Sequence, residues 1–388
     1  MRSPRSPRAA AVPTPLPSPG PAMPKVYEDP YPDVYIGGGF SDPTAPPSAD
    51  PDDPDGPAPE PEPEPEPQAE PEPEPAPEPG FLPRRPADRV LGAVAVATGL
   101  VLLGHSLVPN TPGNLGSLLD TALPWTGPAV PALLLAALIR RSRPAGIAAL
   151  LLGAVWAAVF APLFLGGSAG AAPNLTVVTH NVGAANPDPA GTVRTLLAAR
   201  PDLVALEEVT DEALPAYRKA LDRRLPHSVR VGTVALWSRF PIAESRRVTI
   251  DPGWSRSLRA LVQGPDGPLA VYVVHLPSVR VGAAGFATGR RDETLDALVR
   301  TLDGERQRKV LLLGDLNGST ADRVFAPLTD RLTPVEEESG AGFGFSWPAA
   351  FPLARIDHIL TRGVTPTDAW TLPATGSDHR PVAAGLRA

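Results

Sequence analysis

Four short apolar runs after residue 173 each stop on a residue that handles protons or metal ions. TVVTH runs into Asn181, LVAL into Glu207 and Glu208, VYVV into His275, and LLLG into Asp315 with Asn317 two positions on. Such short, β-branched runs read as buried strands. One polar residue at a strand end is usually a cap or a turn. Four in succession, followed by Asp357 in RIDHIL and by Ser377-Asp378-His379 in GSDHRPV, predict strand ends that share one rim and converge on one cleft.

The intervening pattern fits that frame. Asn174 to Val182 reads as a strand, Pro189 to Arg200 as a helix, Asp202 to Leu206 as a buried strand, and Asp211 to about Arg223 as a second helix. Strands follow at Val229 to Trp237 and Ile242 to Ile250. A hairpin joins Ser257 to Gln263 and Pro268 to His275 across the turn Pro265-Asp266-Gly267. Thr288 to Leu302 is helical, Val310 to Leu313 is a buried strand, and Arg355 to Leu360 and Val382 to Leu386 close the chain. Many strands with few helices between them predict an α/β fold, a two-sheet β-sandwich flanked by helices, over residues 173–388.

The first half reads differently. Residues 1–80 carry 16 acidic against 4 basic side chains, so the net charge of -7 belongs to the tail and the rest is mildly basic. Residues 1–86 also alternate Glu with Pro from Glu60 to Pro75, interrupted at Gln68-Ala69, which predicts a disordered tail of polyproline character. Val26 to Phe40 is its one aromatic stretch. Residues 87–168 hold three apolar stretches, Val90 to Val108, Ser117 to Ile139 and Gly146 to Gly167, which predict three transmembrane helices. Arg84, Arg85 and Arg89 precede the first stretch, and Arg140, Arg141 and Arg143 lie between the second and third. The excess of arginine on cytoplasmic loops then predicts a multi-pass plasma-membrane protein with its tail in the cytoplasm and its C-terminal domain outside. The tail's composition specifies no cytoplasmic partner. Asp120 is expected near the outer interface, where a carboxylate costs least.

The chain has no cysteine, which excludes disulfides, thiolate metal sites and thiol nucleophiles. Residues 173–388 hold 25 basic and 24 acidic side chains, so no strong electrostatic footprint for nucleic acid is present.

The ordered series resembles the endonuclease/exonuclease/phosphatase superfamily, which has the DNase I-like fold. The resemblance rests on Asn181-Val182, Leu206-Glu207-Glu208, Ser238-Arg239-Phe240-Pro241-Ile242, His275-Leu276, Gly314-Asp315-Leu316-Asn317, Arg355-Ile356-Asp357 and Ser377-Asp378-His379-Arg380-Pro381-Val382, all in the family's order. It implies a Mg²⁺-dependent, or Mn²⁺-dependent, hydrolase acting on a phosphodiester of nucleic acid or of a phospholipid headgroup. It also implies site roles: Glu208 and Asp378 as metal ligands, and Asn181 placing a water or phosphate oxygen beside the metal. His379 would be a catalytic imidazole held by Asp357, Asp315 and Asn317 would position or deprotonate the attacking water, and His275 would donate to a phosphate oxygen or the leaving group. The chain departs from the family at Gly183, where nuclease members often carry an acidic residue, and at Glu207, where the family usually has Gln. Glu207 is read as a rim charge in preference to a second metal ligand, and His180 and His358 as packing residues on the opposite strand faces. Arg280, Arg290 and Arg291 are read either as phosphate contacts or as solvated helix-end charges. A different class of function, a catalytically inactive domain that binds phosphorylated ligands or partners at the membrane, is the alternative.

Overall fold

The computed structural model describes residues 86–388, apart from 112, 167–171, 284, 340 and 341. The tail read as disordered, with its aromatic stretch, lies outside the described residues save for Pro86, which begins the first helix. Helices α1 (Pro86–Gly104), α2 (Leu115–Ala122), α3 (Ala129–Ile139), α4 (Arg143–Phe160) and the short α5 (Pro162–Leu165) precede the sheets. Then follow β1 (Leu175–Asn181), α6 (Pro189–Ala198), β2 (Leu203–Glu207), α7 (Leu214–Leu221), β3 (His227–Val231), β4 (Val234–Ser238), β5 (Ile242–Arg247), β6 (Ser257–Gly264) and β7 (Gly267–His275). The chain continues through β8 (Arg280–Gly282), β9 (Gly285–Ala287), α8 (Gly289–Asp303), β10 (Val310–Asp315), α9 (Ala326–Thr329), β11 (Thr333–Pro334), α10 (Val335–Ser339), β12 (Asp357–Arg362), β13 (Thr365–Thr371) and β14 (Val382–Arg387).

Two six-stranded mixed sheets face each other, in the orders β13-β14-β1-β2-β4-β3 and β11-β12-β10-β7-β6-β5. Alternation along the strands builds three layers of core. Leu175, Val177, Leu203 and Ala205 point between the sheets and meet Val271, Val273, Leu311 and Leu313. Val178, Val204 and Leu206 point outward onto α6 and α7, while Ala270, Tyr272 and Leu312 point outward onto α8. Helix α8 presents Leu295, Leu298, Val299 and Leu302, spaced three and four apart, to that face. Helix α6 starts where Pro189 pre-sets the first turn and the Asp188 side chain accepts from the Gly191 N–H at 2.8 Å.

Two local expectations change. Val229 to Trp237 is a hairpin, not one strand, because Gly232 takes a φ of +58° and reverses the chain between β3 and β4. β13 escapes sequence patterning because Pro366 and Asp368 disfavour a strand. An edge position tolerates them, with a register shift between the two.

In the apolar half, Pro86–Leu107 and Arg143–Phe160 are long and apolar enough to cross a membrane. The first would span about 33 Å at about 1.5 Å per residue. The second apolar stretch is not one straight helix: Leu115–Thr126 and Ala129–Ile139 meet at a bend of 52°, where Gly127-Pro128 interrupts the backbone ladder. The helices pack on the sandwich within one compact unit. Asp120, expected at an interface, is 1% exposed and accepts from Arg323 Nε at 2.7 Å and Nη2 at 2.9 Å. His105 Nδ1 lies 2.7 Å from the same carboxylate, and Arg323 also donates to the Val108 carbonyl at 2.6 Å. Phe343 packs edge-on against Trp156, Phe160 and Phe164, and Phe345 stacks on Trp125.

Candidate functional site

The register of the two sheets brings the strand ends together. In the second sheet, Asp315 of β10 is opposite both His275 of β7 and Asp357 of β12, so three of the expected residues form one row. In the first sheet, Asn181 is opposite Glu207 across the parallel β1–β2 pair. The row closes tightly because Gly314 adopts a φ of +145° and any side chain there would strike the Val274 carbonyl. Glu208 and Asn317 each sit at positive φ, +59° and +48°, immediately past their strands. Such backbone strain is held in place by surrounding structure and clusters at functional sites.

The side chains then meet across the sheet interface. Asn181 Nδ2 donates to Asp315 Oδ2 at 2.9 Å and to Glu208 Oε1 at 3.3 Å, while its Oδ1 accepts from the Gly183 N–H at 3.0 Å. Asp315 Oδ1 accepts from the Asn317 N–H at 2.9 Å, and Asn317 Nδ2 donates to the Leu276 carbonyl at 2.9 Å. His275 Nε2 lies 3.6 Å from Asp315 and 3.8 Å from Glu208. His379 Nδ1 lies 2.8 Å from Asp357 Oδ2, and its Nε2 faces Asp315 at 3.8 Å and Asp378 at 4.0 Å. Asp378 is at the mouth: it is largely exposed and accepts from Trp347 Nε1 at 3.2 Å, with no hydrogen bond or ion pair to Glu208 among the described residues.

Burial and charge separate the protonation states. Burial alone would lower the His379 pKa, but the charge of Asp357 and the hydrogen bond to it win, and the ring is raised to about 10. Asp357 moves the other way: burial opposes its charge, yet His379 holds its carboxyl below the usual range. Asp315 is pushed up to about 7 by burial and by the charge of Asp357. His275 is pulled down to about 4 by burial and by Arg256. At neutral pH the site therefore holds an imidazolium, a neutral imidazole and a carboxyl poised to exchange its proton.

Several residues differ from expectation. Glu207 is not a rim charge. It is fully buried between the sheets, with Oε1 accepting from Thr179 Oγ1 at 3.1 Å and Oε2 unpartnered. Burial, then Asp357 and Asp315, push its carboxyl well above the usual range, so it is a neutral acid. The cause is alternation: Glu207 continues the inward face of Leu203 and Ala205, and the positive φ of Glu208 turns that side chain out to the cleft. His180 and His358 are buried on outward faces, bonded to Thr375 Oγ1 at 3.0 Å and the Gly318 carbonyl at 2.8 Å. Arg291 is not solvated, and it reaches the site only from behind, through the Asn317 carbonyl at 3.4 Å. It is 1% exposed and bonded to Asp322 at 2.8 Å, tying down the loop after β10. Arg290 binds Asp251 at 2.9 Å and Arg280 lies on the exposed β8.

Arg256, Ser346 and Ser377 were not anticipated. Arg256 rests 3.6 Å over the Trp254 ring, and its charge reaches Glu208 and Asp315. Ser346 Oγ accepts from the Asp357 N–H at 3.3 Å, and Ser377 Oγ donates to the Asn181 carbonyl at 2.7 Å. Only the serine of SDH carried a sequence signal, through its place in that motif.

The donor set suits a hard divalent cation. Glu208 and Asp315 offer carboxylate oxygens on one side of the cleft, where Asp315 is already forced towards its neutral form, while Asn181 turns its Nδ2 to both carboxylates and its Oδ1 to the Gly183 N–H. A tighter group, Asp315, Asp357 and His379, places one ligand atom each within 4.8 Å of one another. His379 is a poor member of it, because a ring protonated at both nitrogens has no lone pair to give.

Residues 178–379 match the Endonuclease/Exonuclease/phosphatase family. Among solved structures, the chain is similar to humanized D. rerio TDP2 carrying 14 mutations, at 22% identity over 55% of this chain and 99% of that one, with a TM-score of 0.46. It is similar to sphingomyelinase C from Streptomyces griseocarneus, at 21% identity over 55% and 99% of the two chains and a TM-score of 0.41. It is also similar to an endonuclease/exonuclease/phosphatase from Bacteroides vulgatus, at 16% identity over 55% and 98% and a TM-score of 0.44. None of the curated proteins matches the chain.

Proposed function

The chain belongs to the Endonuclease/Exonuclease/phosphatase family, and from that membership we propose that it is a membrane-anchored phosphodiesterase, dependent on Mg²⁺ or Mn²⁺, whose catalytic domain is residues 173–388. The observation that carries this reading is the meeting at one cleft of His379, held by Asp357 at 2.8 Å, with Asp315, 3.8 Å from its Nε2. A non-catalytic binding domain has no need of that arrangement.

In this reaction the oxygen of a water attacks phosphorus and the bond to the ester oxygen breaks. Asp315, fixed by Asn181 and the Asn317 N–H, takes the proton from the water and returns one to the leaving oxygen. Protonated His379, held by Asp357, donates to a phosphoryl oxygen and stabilises the charge that builds there. Neutral His275 donates from its ring N–H to the phosphate or the leaving group. Glu208 would hold the divalent cation, Asp378 contributing from the mouth and the Asn181 Nδ2 orienting the Glu208 carboxylate; when bound, the cation neutralises phosphoryl charge. Arg256 adds fixed positive charge beside Glu208.

The membrane reading takes residues 87–168 as three spans, the tail 1–86 as cytoplasmic and the catalytic domain as extracellular. It is supported by the Arg140–Asp88 ion pair of 2.6 Å. That pair joins the start of α1 to the end of α3, so Arg89 lies at the same end as Arg140, Arg141 and Arg143, remote from the Asp120–Arg323 contact with the sandwich.

The test is turnover by the full-length chain in lipid nanodiscs, on bis(p-nitrophenyl) phosphate, plasmid DNA and phospholipid vesicles, with Mg²⁺, with Mn²⁺ and with chelator. Metal-dependent hydrolysis that disappears in His379→Ala is expected. Folded protein inert on all three substrates with either metal sinks the phosphodiesterase reading.

A further inference from the structure

Segment 342–354, GFGFSWPAAFPLA, has no charged residue and leads directly into Arg355-Ile356-Asp357 of the cleft. It touches both the membrane-side helices and the catalytic mouth. Trp125, from the bend between α2 and α3, donates Nε1–H to the Leu353 carbonyl at 2.8 Å. The Leu353 N–H donates to the Trp347 carbonyl at 2.8 Å, and Trp347 Nε1 donates to Asp378, the neighbour of His379. Every side chain on this path is partly in the open: Trp125 is 40% exposed, Trp347 40%, Phe351 67% and Leu353 37%. At the other end the path begins at an apolar hollow of about 490 Å³ lined by Pro124, Trp125, Val130, Trp156, Phe343 and Phe345. That volume lies in the range of sites that hold small molecules, roughly 300–1,000 Å³. The Trp156 Nε1–H on this wall is buried without an acceptor.

An apolar track of this length is costly to expose to water, and it is continuous with the apolar faces of α1, α3 and α4. We infer that the substrate is a lipid phosphoester drawn from the bilayer, with its acyl chain lying in the hollow and along Trp125, Phe351 and Trp347 while its headgroup reaches His379. This rests on the membrane-anchored phosphodiesterase reading and narrows its substrate class. Exposed aromatics also stack nucleic-acid bases, but such surfaces interleave them with cations that track the phosphates. Segment 342–354 supplies none. The bend at Gly127-Pro128 has a role here: a side chain at Gly127 would collide with the Trp156 indole that forms the wall.

The experiment uses the full-length chain in nanodiscs. Kinetics are read on vesicles of phosphatidylglycerol, phosphatidylcholine or sphingomyelin and on water-soluble bis(p-nitrophenyl) phosphate, for wild type and for Phe351→Ser and Trp125→Ala. In both variants KM for the lipid should rise about tenfold with kcat nearly unchanged, and the soluble ester should be unaffected. Equal loss on both substrates, unchanged lipid KM, or turnover of the soluble ester or plasmid DNA with none of the lipids overturns the inference while leaving the phosphodiesterase intact. A second readout needs no turnover: quenching of Trp fluorescence by dibrominated phosphatidylcholine, compared between wild type and Trp347→Phe. A quenched Trp347 component supports the acyl path even if every substrate proves inert. An unquenched one refutes it.

Discussion

Arg323 and Asp120 lie 203 residues apart in sequence and form a two-pronged ion pair of 2.7 and 2.9 Å that fastens the loop after β10 to the apolar N-terminal helices. Asp120 is 1% exposed, so removing the guanidinium leaves a buried carboxylate held by His105 and the residue 323 backbone N–H. Arg323→Ala should therefore lower stability by about 3 kcal/mol and make the chain more sensitive to limited proteolysis. Unchanged thermal unfolding and an unchanged cleavage pattern would show that the contact carries no weight.

His379→Ala removes the imidazolium, and Asp357→Asn removes what keeps it charged. The first should cost about 10²–10⁴ in kcat. The second should move the alkaline limb of the pH–rate profile from near 10 towards the ordinary histidine range, since Asp357 is what raises the ring to about 10. A profile unshifted in Asp357→Asn would mean that another group sets that limb.

Glu208→Gln should weaken metal dependence without unfolding the chain, because Glu208 is partly exposed and its oxygens accept only from Asn181 and the Ala184 N–H. Titrating Mg²⁺ should give half-maximal activity at a concentration at least about tenfold higher. Identical metal curves for wild type and variant would move the cation elsewhere.

Glu207→Gln should retain activity within a few-fold, since the native side chain is already a neutral acid. The two should also diverge in stability with pH. An acid whose folded pKa is raised binds its proton more tightly folded than unfolded, so its contribution is whole below the ordinary carboxyl value and is lost as pH rises above it. Denaturant unfolding at pH 5 and pH 8 should show the variant gaining on wild type at the higher pH. A constant difference would contradict the neutral assignment.

His180 and His358 are buried as neutral rings, each pulled down to about 3, by burial above all. The unfolded chain binds protons first, so their contribution is whole above about 6.5 and is lost progressively as pH falls towards 3. His358→Gln should flatten the acid limb of the stability curve, measured by thermal unfolding between pH 7 and pH 4. An unaltered limb would place the acid sensitivity in other groups.

The cleft was legible in sequence wherever a side chain follows directly from strand periodicity. Asn181, His275 and Asp315 close apolar runs, and the end of such a run marks where a buried strand stops. Glu207 and Glu208 show where this stops. Alternation alone puts adjacent residues on opposite faces but does not say which faces solvent, and the positive φ at Glu208 that turns it to the cleft depends on what packs around it.

Sequence by itself determined most of the element types, the ordered strand ends and the apolar segment that precedes them, because these follow from local periodicity and chain length. Only tertiary structure decided which partners meet: Arg323 with Asp120, Trp125 with Leu353, Arg256 near Glu208, and Glu207 between two sheets. Those pairings join residues far apart in the chain. Their energies come from exclusion of water at contacts that no local pattern encodes, so burial and protonation, on which the chemistry depends, exist only once the sheets have closed.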